Sequence, residues 1–161
     1  DGSTPDNKKA EARLNRWEID LTSNSGSIKK DYLDEHIGEF PRLDERYSMS
    51  NYRYGIYASN HGNSPKGISF NSITRYDYKT GNKEVFSLSE LDAVGEPIFV
   101  PKSPDADEGV GYVIALGYLG EENRSDLMIF DAENISSGPI ARAMLPHRIP
   151  YGFHGNWRSG T

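Results

Sequence analysis

Three ionisable side chains recur at one position of a repeated pattern. Glu39 stands in Gly38-Glu39-Phe40-Pro41, and Glu96 stands 57 residues further on in Gly95-Glu96-Pro97-Ile98. A further step of 58 residues reaches His154, in Gly152-Phe153-His154-Gly155. Imidazole nitrogen suits iron, copper or zinc, and a carboxylate either ligates such an ion or fixes the imidazole that does. One histidine does not make a metal site. The plain alternative is two exposed acids at turn ends and a hydrogen-bonded histidine. The other histidines suggest less. His36, in DYLDEHIGEF, is expected in a solvated, charged turn, and His61, in SNHGNSP, in a loop as an exposed or structural residue. His147, beside Arg148 and between two prolines, is expected to make a loop contact. Asp105, Asp107 and Glu108 lack the spacing of a calcium loop and are expected in a solvated turn. HExxH, GxSxG, P-loop and GxGxxG patterns are absent. The chain has no Cys, which excludes disulfides, thiolate zinc sites and a Cys nucleophile.

The elements that must hold these residues are strands. Alternating or apolar runs at 16–21, 27–33, 39–43, 52–58, 68–78, 83–88, 96–101, 111–119, 127–131 and 140–145 are separated by turns rich in Gly, Asn, Asp and Pro. One helical turn is expected within 87–94, where Ser87 precedes Glu90 by three residues. Four strands fall between Glu39 and Glu96 and four more between Glu96 and His154, which is the content of a β-propeller blade. The pattern predicts an all-β fold. It holds about two full four-stranded blades, the outer hairpin of a preceding blade (13–33) and the first strand of a following one. A β-sandwich is the rival. In a propeller the first strand of each blade lies nearest the axis, so residues at equivalent places on it converge. Two blades cannot close a ring and would leave unpaired edges. Residues 1–12, polar and without strand or turn signals, are expected to be a tail or a disordered loop end, and 13–161 is expected to be the C-terminal part of one propeller whose N-terminal part lies upstream.

Composition narrows the function. The 161 residues carry a net charge of −6 with 18 Lys+Arg against 24 Asp+Glu, so a basic footprint for nucleic acid is missing. No apolar run approaches the ~18 residues of a membrane-spanning helix. The polar start has no secretory h-region. Only 35% of residues are hydrophobic and the mean hydropathy is −0.70, which is low for a self-sufficient globule of 18.0 kDa. Either part of the chain is disordered or its apolar face is shared with a larger body.

The stretch LPHRIPYGFHGNW (145–157) resembles the C-terminal motif of the carotenoid cleavage oxygenases. Gly38-Glu39-Phe40-Pro41-Arg42 and Gly95-Glu96-Pro97-Ile98-Phe99-Val100 resemble two further motifs of that family, in the same order and at similar spacing, and the likeness runs from about Arg13 to Trp157. The resemblance implies a seven-bladed propeller with non-haem Fe2+ on its axis, held by four histidines and backed by three glutamates. His154 matches one metal ligand, and Glu39 and Glu96 match two of the glutamates that hold ligating imidazoles. Matches to the other three histidines and the third glutamate are missing, so the chain resembles the last third of an enzyme and is not expected to be catalytic alone. The implied reaction is cleavage of a conjugated carbon–carbon double bond by O2 to two carbonyl products. The implied substrates are carotenoids, apocarotenoids or phenolic stilbenes. Tyr151 and Phe153 are expected either to line a tunnel for such an apolar substrate or to serve as core aromatics.

The competing reading is a non-enzymatic propeller module that binds a partner or a sugar, with Glu39, Glu96 and His154 purely structural. Three further histidines at upstream blade starts would separate the two. The implied address is the cytoplasm, with peripheral membrane contact of the complete protein, or the plastid for a plant or algal source.

Overall fold

The computed structural model describes residues 11–22, 26–61 and 70–160. The expected tail at 1–12 lies almost wholly outside the described residues, as do part of the 23–26 turn and the first residues of the 68–78 strand.

The chain folds into two antiparallel sheets of short strands. The first comprises β1 (Arg13–Ile19), β2 (Ile28–Leu43), β3 (Tyr54–Asn60), β4 (Ser72–Asp77) and β5 (Lys83–Ser87), adjacent in chain order. The second comprises β6 (Ala93–Val94), β7 (Ile98–Pro101), β8 (Gly111–Leu119), β9 (Arg124–Asp131) and β10 (Pro139–Met144), ordered β10-β9-β8 with β6 and β7 both on the free edge of β8. Each sheet thus contains a four-stranded meander as expected: the second half of β2 with β3–β5, and β7 with β8–β10.

Three expectations are corrected. Residues 27–33 and 39–43 are not separate strands but one 16-residue strand, β2. Its first half pairs with β1 and its second with β3, so the 13–33 hairpin runs without a break into the first sheet. No helical turn forms at 87–94. Asp92 instead accepts from the Ser89 N–H at 3.1 Å and the Gly120 N–H at 2.8 Å, and the resulting turn delivers Ala93 and Val94 to β8. No strand follows β10 among the described residues; 145–160 runs as irregular chain.

The core lies between the sheets. Ile56, Ala58 and Ile73 of β3 and β4 meet Val94, Val113, Ala115, Met128 and Phe130 of the second sheet, with Phe70 and Ile135 closing the ends. β8 shows why: Gly111, Val113, Ala115, Gly117 and Leu119 alternate inward, the period of a half-buried strand. A shared interface between two layers explains how a chain so poor in apolar residues makes a core. Polar ties reinforce it. Arg46 donates to the carbonyls of Pro104 and Ala106, each at 2.8 Å. Glu108, expected in a solvated turn, instead accepts from the backbone N–H groups of Arg53 at 2.6 Å and Tyr54 at 3.0 Å, where β3 begins.

Candidate metal and substrate site

Glu39 lies at a bulge inside β2 and not at a strand start, whereas Glu96 lies in the break between β6 and β7, two residues before β7 begins. In β2, Glu39 faces Ala58 and Arg42 faces Ile56, so two residues, Phe40 and Pro41, oppose one. Phe40 takes a left-handed φ of 57°. In the second sheet, Val94 faces Gly117 and Ile98 faces Ile114, so Gly95-Glu96-Pro97 opposes two residues. A proline in each bulge is tolerated because the ladder is already broken there. A bulge re-aims the side chains beside it, which suits a position that must point out of the sheet.

Glu96 is 9% exposed, and three groups converge on its carboxylate. The Gly155 N–H donates to Oε2 at 2.8 Å, and His154 Nδ1 and Arg42 Nη1 each lie 3.3 Å from Oε1. A carboxylate only accepts, so His154 carries its proton on Nδ1 and presents the lone pair of Nε2. Arg42 also reaches the Gly155 carbonyl at 3.5 Å and Asn156 Oδ1 at 3.3 Å. These bonds hold an otherwise irregular segment, together with the bond from the Ile149 N–H to Ser125 Oγ at 2.9 Å. Phe40 completes the seat. Its ring stands edge-on to His154 at 5.8 Å and to the core ring Phe70 at 6.0 Å. Sequence reasoning did not assign Phe40 or Arg42 a role, although both lie inside the Gly38–Arg42 motif.

Glu39 is exposed, and among the described residues nothing donates to its carboxylate. It lines an open, largely apolar cavity of about 710 Å³ with Leu14, Trp17, Phe40, Phe153 and His154. Glu39, Phe153 and His154 are thus brought together. Tyr151 is not: it lines a separate cleft beside Ala93, Tyr118 and Ile149, where burial pushes its phenol pKa up. His147 is exposed, in keeping with a loop role.

The expectations for His36 and His61 are revised. His36 lies in β2, not in a turn, and its ring stacks on that of His61 at 3.9 Å, both half-buried. Asp34, buried beside them, accepts from His36 Nδ1 at 2.8 Å, from Lys83 Nζ at 2.9 Å and from the hydroxyl of Tyr57. Desolvation opposes ionisation of Asp34, but these donors together hold its carboxyl well below the usual range, while burial pushes the Tyr57 phenol far up. The signal was the D-x-H alternation on one face of a strand.

Comparison with known proteins agrees with this geometry. The profile of the retinal pigment epithelial membrane protein family matches residues 1–159. The chain is 36% identical to isoeugenol monooxygenase of Pseudomonas putida, with 96% of this chain and 34% of that one covered. Its structure is similar to that of Pseudomonas brassicacearum lignostilbene dioxygenase, with a TM-score of 0.90, 34% identity, and coverage of 99% of this chain and 35% of that one. It is also similar to cobalt-substituted apocarotenoid oxygenase of Synechocystis, with a TM-score of 0.84, 30% identity, and coverage of 92% and 30%. The chain spans about a third of the length of the curated relatives it matches. Its two sheets are a section of β-propeller, and the chain belongs to the retinal pigment epithelial membrane protein family, the carotenoid cleavage oxygenases that its three motifs resemble.

Proposed function

We propose that this chain is the C-terminal part of a non-haem Fe2+ dioxygenase that cleaves a conjugated carbon–carbon double bond of a carotenoid or apocarotenoid with O2, giving aldehyde or ketone products. The observation that carries the reading is the seat of His154. A buried carboxylate accepts a hydrogen bond from the Nδ1–H, which leaves Nε2 free as a ligand on an imidazole that lines an apolar cavity. That is the arrangement in which a carboxylate orients a metal-binding imidazole and raises its basicity. The donor set fits the group: a neutral imidazole suits Fe2+, and the exposed carboxylate of Glu39 suits a histidine contributed from outside this chain. The iron supplies a site at which O2 is activated.

The chain's own residues do the rest. Glu96 fixes the tautomer and angle of His154. Arg42 and the Gly155 N–H hold Glu96 in place. Phe40 keeps the imidazole from tilting. Phe153 lends the cavity apolar surface for a polyene, while Tyr151 shapes a neighbouring cleft. The N-terminal part of the same propeller is the partner that brings the remaining ligands, and peripheral membrane contact belongs to that larger body.

A second reading, a phenolic alkene such as a stilbene as substrate, is favoured by one observation. Identity to the isoeugenol and lignostilbene enzymes, 36% and 34%, exceeds the 30% to the apocarotenoid enzyme. The test is the complete protein assayed with an apocarotenal and with a 4-hydroxystilbene, each also with the His154→Ala variant. Cleavage of either substrate, abolished with the iron in His154→Ala and retained in His147→Ala, supports the reading. Normal iron and turnover in His154→Ala would remove it and leave the non-enzymatic module.

A further inference from the structure

We propose that the stacked imidazoles of His36 and His61 form an acid-sensitive latch, which pins the end of β3 to β2 at neutral pH and opens when His61 takes up a proton. The latch shares no residue with the Glu96–His154 seat and does not rest on the oxygenase reading.

The register of β2 and β3 builds it. Ile37 faces Asn60, so the rings of His36 and His61 meet on one face of the sheet. They stack at 3.9 Å with an angle of 25° between their planes. Each ring is held through one nitrogen. His36 Nδ1 donates to Asp34 Oδ1 at 2.8 Å, and His61 Nε2 lies 3.1 Å from Thr74 Oγ1. Both rings are half-buried. Two imidazolium rings at that separation would set like charges face to face, screened less than in bulk water. The stack therefore survives one proton at most.

The surroundings make His61 the ring that resists charge. Among the described residues, the charges that act on it are His36 and Asp34 of β2 and Lys83 of β5. Tyr57 and Ser59 of β3 and Thr74 of β4 bring only hydroxyls to the cluster, and Arg13 of β1 and Glu35 line the cleft that Asp34 and Lys83 share. Asp34 draws a proton towards His61, but its oxygens already accept from the Tyr57 hydroxyl, Lys83 Nζ, the His36 backbone N–H at 3.1 Å and the His36 ring. Burial, His36 and Lys83 outweigh it and lower the His61 pKa. Asp34 stays ionised and Tyr57 neutral across the range, since the one is held well below the usual carboxylate range and the other is pushed far up. A histidine whose folded pKa lies below its ordinary 6.5 stabilises the fold above that pH and loses the contribution as the pH falls through it. Protonated His61 gains by leaving the stack for water. The pairs of Ile37 with Asn60, Gly38 with Ser59 and Glu39 with Ala58 lie directly beyond the latch, so its opening loosens the ladder up to the Glu39 bulge.

The test is hydrogen exchange of the complete protein, read peptide by peptide from about pH 7.5 to about pH 5.5 and corrected for the intrinsic rate of free amides. Peptides across 37–39 and 58–60 are expected to open more often as the pH falls below about 6.5, by up to about tenfold per pH unit, the limit for one proton taken up. β8 and β9 carry no histidine and should not change. His61→Phe keeps a flat ring in the stack and takes no charge, so its exchange should be level across the range, and its thermal unfolding at neutral pH reports whether it folds. The comparison of the two regions in the wild-type protein needs no variant. No acid-dependent opening at 37–39 and 58–60, an equal rise in β8 and β9, or a rise retained in folded His61→Phe would overturn the proposal.

Discussion

Glu39 and Glu96 stand at breaks in strand pairing, each one or two residues before a proline, Glu39 inside β2 of the first sheet and Glu96 between β6 and β7 of the second. Their surroundings differ. Glu96 is buried and receives a backbone N–H, an imidazole and a guanidinium. Glu39 is exposed on the cavity wall and, among the described residues, receives nothing. The local sequence writes the bulge and aims the carboxylate. What the carboxylate then does is decided by the segment that arrives to meet it. For Glu96 that segment is the irregular stretch carrying His154 and Gly155, delivered from the end of β10.

The difference is open to test, beginning with the largest effect. Glu96→Gln in the complete protein should lower turnover per bound iron by about tenfold or more, because the bond to the imidazole N–H loses its charge. It should also lower stability by about 1–3 kcal/mol, because the Arg42 guanidinium is left half-buried beside a neutral amide. Steady-state rates normalised to iron and denaturant unfolding read the two effects. Glu39→Gln should lower turnover per iron to a similar degree, yet leave stability within ~0.5 kcal/mol, since no internal bond is lost. Equal stability losses in the two variants would erase the contrast.

The glycines before the two acids sharpen it. A Cβ on Gly38 would stand 2.8 Å from the Tyr57 ring and 3.0 Å from the Ala58 carbonyl, whereas one on Gly95 meets nothing nearer than the Leu116 carbonyl at 3.7 Å. Gly38→Ala should therefore destabilise by about 1–3 kcal/mol, as overpacking does. Gly95→Ala should stay within ~0.5 kcal/mol, the range of a harmless substitution. Thermal unfolding of the two variants, with wild-type iron content in Gly95→Ala, checks the pair.

Much of this was legible in the residues. Alternating or apolar runs marked β3 to β5 and β7 to β10 to within a few positions, most plainly β8, which buries every second residue. The Gly-Glu repeat and His154 marked the site. The bulges escaped notice because a run such as EFPRL (39–43) reads as an uninterrupted strand; only the proline hinted that pairing breaks there. β2 was divided in two because its halves pair with different partners, and the sequence does not record that. The eight-residue stretch from Ser87 to Val94 offered a helix start, but Asp92 accepts from the N–H groups of Ser89 and Gly120 and makes a turn. The His36–His61 stack depends on strand register between residues 25 positions apart, which local reading does not reach. Tyr151 and Phe153 looked alike by sequence, yet an irregular backbone sends them to different cavities.

The most direct measurement is a crystal structure of the complete protein with data collected at the iron absorption edge. The account predicts anomalous density for iron bonded to Nε2 of His154, with Nδ1 still on the Glu96 carboxylate and the Gly155 N–H on its other oxygen. Iron bonded to Nδ1 with Glu96 released, or iron held with no bond to His154, would contradict it.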